Sequence, residues 1–252
     1  MAEKIYTKPS CLLPLSSGFC PGCLHSLTAK LIAEAIDELE IAHKVINVLP
    51  VGCATMNSIY MKLDQITSAH GRAPAVATGI KRCRPDCVVL TYQGDGDLAS
   101  IGLAEIMMAA NRGEHITVFF ANNSTYGMTG GQMAPTTLIG QKATTCVNGR
   151  DPATMGYPIR MCELIKELEA PVYVARFALN GPQNIRKAKK GILKAIQNQI
   201  DGVGFSFVEF LTNCPTNWGM SPVKSLEFIE SHTSKYFPPG VFVDKTAKEE
   251  AK

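Results

Sequence analysis

The chain has 252 residues, 25 Lys plus Arg against 22 Asp plus Glu for a formal net charge of +3, and 46% hydrophobic residues. That length and apolar content suit one large α/β domain and exclude long disorder, collagen-like sequence and coiled coil. The near-balanced charge leaves no footprint for nucleic acid, and the longest apolar runs, CVVL and ITVFFA, are far too short for a membrane span. The stretch CLLPL near the N-terminus is short and broken by proline, so it is not read as a signal peptide, and a cytoplasmic protein is expected. Its nine cysteines would then stay reduced, and clustered ones point to metal or redox ligands rather than disulfides.

In chain order, Leu24 to Leu39 repeats apolar residues at helical spacing, and Lys44 to Leu49 is a short β-rich run. A turn, PVGC, and a polar segment, Asp64 to Arg72, lead to a small-residue helix, Ala73 to Arg82, which stops before Pro85. CVVLTYQ reads as a buried strand, GDGD as a turn, Leu98 to Asn111 as a helix closed by Gly113, and HITVFFANN as a second buried strand. Ser124 to Tyr157 has little periodicity and many Gly, Thr and Pro residues, so it is expected to be a long, functional excursion. A helix at Met161 to Leu168, the strand VYVARF, a helix at Gln183 to Asn198 and the strand FSFVEFL follow, and Phe237 to Lys252 reads as an extended arm with a frayed charged end. Strands that are nearly all apolar, alternating with helices, predict an open, mostly parallel α/β sheet covered on both faces.

The segment Gly94 to Asp97 carries the most chemistry. Ligands of open parallel sheets collect at the carboxyl ends of the strands. Glycines 94 and 96 allow close backbone approach, and the helix that follows offers N–H groups to an anion such as a diphosphate. Asp95 supplies a hard oxygen, to which Asn123 and the Thr125 carbonyl could add two more for Mg²⁺. The plainer reading is a tight turn with a capping Asn pair. From Asp95 to Asn123 is 28 residues, one helix and one strand, which sets both side chains on one rim of adjacent strands.

CPGC, Cys20 to Cys23, is a chelating pair in front of the first helix. A zinc site would want a second close pair, and a thioredoxin-type dithiol would follow a strand. Cys53 and Cys214 each follow a strand and so fall on the same rim as GDGD, where four sulfurs could converge; alternatively both are small buried hydrophobes. Of the remaining five, Cys11, Cys83, Cys87, Cys146 and Cys162, the pair Cys83 and Cys87 forms a CxxxC that could rival CPGC, but Cys87 opens a strand at the end away from the rim, so both are read as structural.

GDG followed by NN resembles the thiamine diphosphate signature, and with YGMTGGQMAPTT and CPTNWGM the chain is similar to the β subunit of 2-oxoacid:ferredoxin oxidoreductases from about Gly18 to Pro222. The resemblance implies a single thiamine diphosphate-binding domain over residues 1–252, with a cluster-binding N-terminal segment at about 11–24 and the C-terminal tail at about 237–252. It implies Mg²⁺ on Asp95, Asn123 and Thr125, and cofactor contacts from Gly94, Asp95, Gly96, Asp97, Asn123, Thr125, Gly127, Met128 and Thr129. It further implies a [4Fe–4S] cluster on Cys20, Cys23, Cys53 and Cys214, the last followed by proline as in many cluster sites. His25, His70 and Arg72 would line the thiamine and substrate region. The family commonly has Gly after the CxxC pair, where this chain has Leu24.

The implied reaction is oxidative decarboxylation of a 2-oxoacid, branched-chain such as 2-oxoisovalerate or else 2-oxoglutarate, to acyl-CoA and CO₂, with electrons leaving through the cluster to ferredoxin. Implied partners are an α subunit carrying the pyrimidine-binding module, γ and ferredoxin-like δ subunits, ferredoxin, the 2-oxoacid and coenzyme A, with neither nucleic acid nor membrane. A thiamine-free iron–sulfur electron-transfer subunit and a non-oxidative thiamine-dependent carboligase or decarboxylase are the alternatives.

Overall fold

The computed structural model describes residues 6–247. The β-branched and aromatic runs become strands β1 Val45–Leu49, β2 Asp64–Thr67, β3 Val88–Gly94 and β4 Thr117–Asn122, a hairpin of β5 Thr125–Tyr126 and β6 Gln132–Met133, and β7 Tyr173–Ala178, β8 Ser206–Leu211 and β9 Gly240–Asp244. Among the described residues, seven strands form one sheet in the order β2-β1-β3-β4-β8-β7-β9, parallel except for β9. The helices are α1 His25–Glu38, α2 Ala73–Cys83, α3 Leu103–Asn111, α4 Pro152–Met155, α5 Met161–Lys166, α6 Pro182–Ile200, α7 Pro215–Trp218, α8 Pro222–Phe228 and α9 Ser234–Tyr236. None of the helices in the described residues is long and apolar enough to cross a membrane.

Side chains alternate across the sheet, so each central strand feeds two cores. Leu90, Phe119, Val208 and Phe210 pack with Leu31 and Ile36 of α1 and Ile192 and Ile196 of α6. Val89, Val118, Phe120 and Phe207 pack on the other face with Ala77 of α2, Ile106 of α3 and Ile165 of α5. Both Phe119 and Phe120 are fully buried, each contributing roughly 1.5–3 kcal/mol by transfer out of water. An open α/β fold with both faces covered is what the alternation of strands and helices predicts.

Four features differ from the sequence-based expectation. Asp64 to Thr67 is a strand after all, β2, at the sheet edge, where largely exposed side chains leave no hydrophobic alternation. The helix expected over Leu98 to Asn111 is broken. Gly96–Ile101 is π-helical, with the Gly102 N–H donating to the Asp97 carbonyl at 2.8 Å, and α3 begins only at Leu103. At the break the Gly71 backbone packs against Gly102, its carbonyl 2.5 Å from where a Cβ on Gly102 would stand, so only glycine fits there. The expected C-terminal arm is in part strand β9, whose residues pair with β7; the charged end from Lys248 lies outside the described residues. Residues 215–236, unassigned from sequence, fold as short helices. The excursion at 124–157 is largely irregular, as expected, apart from the short β5–β6 hairpin and α4, and the buried Arg150 ties it together by donating to the carbonyls of Pro135, Thr137, Gly156 and Tyr157 at 2.8–2.9 Å.

Candidate functional site

β3 and β4 are in register at Gly94 and Ala121, so Asp95 and the Asn122–Asn123 pair leave the sheet side by side. The Asp95 carboxyl accepts from Gly96 N at 2.9 Å, Thr125 N at 3.1 Å and Thr136 Oγ1 at 2.6 Å. Asn123 Oδ1 accepts from the same Thr125 N–H at 3.3 Å. Two side-chain oxygens therefore crowd one backbone amide. Burial pushes the Asp95 carboxyl up to about 7 despite these three donors. Such a carboxylate is short of a cation.

All of Gly94, Asp95, Gly96, Asp97, Asn123, Thr125, Gly127, Met128 and Thr129 line one cavity of about 110 Å³, together with His25 and His70. Among the described residues, neither Lys nor Arg lines it. A diphosphate seated there would depend on backbone N–H groups and a bound cation for neutralisation, and the hard oxygens of Asp95, Asn123 and Thr125 suit Mg²⁺. Gly96 is required by contact, since a Cβ there would lie 2.1 Å from the Tyr126 ring. Asp97 serves differently from a diphosphate ligand. Its carboxylate accepts from Gly71 N at 2.9 Å, Val51 N at 3.2 Å and Gln93 Nε2 at 2.6 Å, and lies 2.7 Å from His70 Nδ1. It clamps the loops after β1 and β2 to the GDGD turn.

The four cysteines of the proposed set converge. Cys20, Cys23, Cys53 and Cys214 line a second cavity, of about 360 Å³. Burial pushes Cys23 up to about 12 and Cys53 up to about 11, and raises Cys214, with charge on neighbouring cysteines of the same set adding to each. Bound metal would reverse those shifts, because a coordinating thiol loses its proton. No three His, Cys, Asp or Glu side chains among the described residues are grouped to hold a single metal ion. A cubane cluster asks for another arrangement, one thiolate at each of four irons around a void, and a cavity framed by four cysteines fits it. Cys83 is exposed and Cys87 is buried beside Lys81 and Pro85 at the opposite end of β3, away from this cavity.

The two cavities share His25, Cys53, Asn123, Gly127 and Met128 as a common wall. His25 is 2% exposed, stacks on Phe19 and lies 2.5 Å from the Tyr92 hydroxyl, and burial lowers its pKa to about 4, which keeps the imidazole neutral at pH 7. Arg72 departs from expectation. It is half-exposed, ion-pairs with Glu105 of α3 and lines neither cavity, because the turn into α2 points it at the neighbouring helix. Leu24 takes ordinary right-handed helical angles, so no glycine is needed there, and the turn falls instead on Gly22 at φ +75°.

Several working residues escaped the sequence reading. Thr136, in the APTT run, bonds Asp95. Trp218, expected only to pack, donates Nε1–H to the Asn123 carbonyl at 3.1 Å. Asn217 donates to Cys214 Sγ at 3.2 Å and to the Gly127 carbonyl at 2.8 Å. Asn213 accepts from Leu24 N and donates to the Gly22 carbonyl, which ties the CPGC turn to the end of β8. The dense NCPTNW run, Asn213 to Trp218, was the available signal for the last three.

Residues 50–210 match the family model of the thiamine pyrophosphate enzyme, C-terminal TPP binding domain. The chain is 47% identical to ketoisovalerate oxidoreductase subunit VorA of Methanothermobacter thermautotrophicus, over 99% of this chain and 54% of that protein. It is 37% identical to 2-oxoglutarate synthase subunit KorB of Methanocaldococcus jannaschii, over 85% of this chain and 77% of that protein. Thus it spans about half the length of the ketoisovalerate relatives it matches. Among solved structures it superposes on a chain of 2-oxoglutarate:ferredoxin oxidoreductase from Magnetococcus marinus with a TM-score of 0.76 and 25% identity, covering 97% of this chain and 87% of that one.

Proposed function

We propose a catalytic role on one premise: the chain belongs to the thiamine pyrophosphate-binding β-subunit family of the 2-oxoacid:ferredoxin oxidoreductases. In this reading it is the subunit that decarboxylates a 2-oxoacid oxidatively, the acyl group passing to coenzyme A and the electrons to a [4Fe–4S] cluster on Cys20, Cys23, Cys53 and Cys214 and then to ferredoxin. The observation that carries it is the common wall between the GDG–NN cavity and the four-cysteine cavity. Thiamine diphosphate, when bound, supplies the electron sink that decarboxylation of a 2-oxoacid requires and no side chain offers. Asp95, Asn123 and the Thr125 carbonyl would hold Mg²⁺, Gly94 and Gly96 would admit the diphosphate, and the neutral His25 with the wall residues would keep water from the space between the two centres.

The cofactor cavity, at about 110 Å³, is smaller than the roughly 300 Å³ at the low end of ordinary ligand pockets. It takes an anionic end, and the remainder of the cofactor extends past the rim, which supports an α subunit carrying the pyrimidine-binding module; γ and ferredoxin-like δ subunits complete the proposed assembly. Purification of the complex with analysis of co-purifying chains, iron and thiamine tests the reading. Thiamine without iron would favour a carboligase or decarboxylase, and iron without thiamine an electron-transfer subunit.

Substrate preference follows from charge. Neither cavity is lined by Lys or Arg among the described residues, and Gly130 stands in open space, with only Gln132 Nε2 at 4.0 Å from where its Cβ would be. A distal carboxylate buried there without a cation carries an effective penalty of several kcal/mol. Branched-chain substrates such as 2-oxoisovalerate are therefore expected to exceed 2-oxoglutarate in kcat/KM, measured as coenzyme A-dependent reduction of a viologen dye by the assembled complex. A preference for 2-oxoglutarate would place a cation on a partner subunit.

Gly127 offers a local test of the wall. A Cβ there would stand 3.1 Å from Cys53 Sγ and 3.6 Å from Cys214 Sγ. Gly127→Ala is expected to impose an overpacking cost of roughly 1–3 kcal/mol on that geometry, read as less iron per chain at unchanged circular dichroism. Full iron retention would show that the sulfurs have room to move.

A further inference from the structure

We propose that Asn122, set by the buried Glu209–Arg176 pair, is a positioning residue for the metal- and diphosphate-binding turn. This inference rests on the site reading above and adds to it residues that touch neither metal nor diphosphate.

The argument starts from strand register. Glu209 of β8 lies directly opposite Phe120 of β4 and Arg176 of β7. Asn122 is two residues beyond Phe120 and so shares its face. Its Nδ2 donates to Glu209 Oε1 at 2.8 Å. The other carboxylate oxygen accepts from Arg176 Nε at 2.8 Å, and neither Arg176 nor Glu209 has any exposed side chain. Arg176 also makes two bonds to Glu163, at 3.0 and 2.6 Å, and donates to the Pro238 carbonyl at 3.2 Å. Two carboxylates thus meet one guanidinium, and Asn122 supplies the donor that Glu209 still requires in a dry interior.

That bond decides which way the Asn122 amide faces. With its NH₂ turned to the carboxylate, Oδ1 is left to accept from Ser124 N at 3.3 Å. Ser124 has φ +59°, a left-handed conformation that a non-glycine residue holds only when its surroundings impose it. Thr137 secures the turn from the other side by donating to the Ser124 carbonyl at 2.7 Å. Through this turn the chain leaves β4 with Asn123 Oδ1 and Asp95 Oδ2 both directed at Thr125 N. If the Asn122 amide were free to rotate, the turn would lose one of its two holds and the spacing of Asn123 and Thr125 relative to Asp95 would relax. A carboxylate that orients an amide, which in turn fixes a metal-binding loop, has the role of the outer partners of metal sites.

The test is calorimetric titration of the full chain, in the assembly in which it purifies, with thiamine diphosphate across a Mg²⁺ series. Asn122→Ala and the isosteric Glu209→Gln are each expected to raise the half-saturating Mg²⁺ concentration about tenfold or more, the usual cost of losing an outer partner, with iron content unchanged and binding recovered at high Mg²⁺. Glu163→Gln, which loosens Arg176 from the side away from the turn, is expected to lower Tm with wild-type Mg²⁺ dependence. Wild-type Mg²⁺ dependence in both Asn122→Ala and Glu209→Gln would overturn the proposal, and so would an equal shift in Glu163→Gln, which would mark the effect as general destabilisation. Loss of binding in Asp95→Ala, measured alongside, separates the two readings: if that variant binds normally, the site assignment fails, and if it alone is impaired, only the positioning role does.

Discussion

Asp95→Ala is expected to abolish Mg²⁺-dependent binding of thiamine diphosphate while the fold and the iron content survive. Asp95 is the only carboxylate in the proposed magnesium set, and its loss leaves a diphosphate in a cavity without Lys or Arg among the described residues. The fold should tolerate the change, because the donors on Gly96 and Thr125 are backbone amides at a cavity that water can enter once the side chain is removed. Titration calorimetry reads the effect directly, and unchanged affinity would reduce GDGD to a turn. The same carboxyl predicts a pH dependence. Burial raises it to about 7 without a cation, and Mg²⁺ must displace its proton, so metal and cofactor affinity should be level well above pH 7. Below that pH it should fall by about tenfold per pH unit, since one proton is released per metal bound. Affinity that stays flat between pH 5 and 8 would show that Asp95 is ionised before the metal arrives.

The second large effect concerns the sulfurs. Cys53→Ser and Cys214→Ser are each expected to remove or strongly alter the electron paramagnetic resonance signal of the reduced cluster, whereas Cys83→Ser and Cys87→Ser leave it intact. Serine is a harder, more basic ligand than a thiolate and suits a soft iron–sulfur centre poorly. The geometry makes Cys214 the more sensitive of the two, since Asn217 donates to its sulfur and to the Gly127 carbonyl together, an arrangement built around a charged sulfur. A full signal in both variants would sink the assignment of the cluster, as would zinc in place of iron. Activity with a viologen dye should fall with the signal in each variant, because electrons leaving the 2-oxoacid have no other acceptor within this chain in the proposed route.

Much of this molecule was legible in the order of its residues, because the relevant physics is local. Runs such as VVLTYQG and TVFFAN are buried on both faces and can only be central strands of a covered parallel sheet. A strand followed by GDG and a helix, with a second strand ending in two asparagines, brings Asp95 and Asn123 to one rim by connection length alone. That Cys53 and Cys214 could come near that rim was readable for a similar reason, since both follow strands and parallel strands end on the same side; their grouping with Cys20 and Cys23 as a cluster set came from the family resemblance. What could not be read was settled between segments far apart in sequence. Strand β9 shows no strong pattern of its own and exists because β7 offers an edge. Arg72 sits in a motif that invites an anion, and tertiary packing gives it Glu105 instead. Thr136 reaches Asp95 across 41 residues, and Trp218 reaches Asn123 across 95. Arg176 and Glu209 would each be costly to bury alone, and only the register of β7 against β8 makes them a pair. Backbone propensity and side-chain period are properties of short windows, whereas the partner of a polar group depends on which strands lie side by side, and that is decided only when the sheet closes.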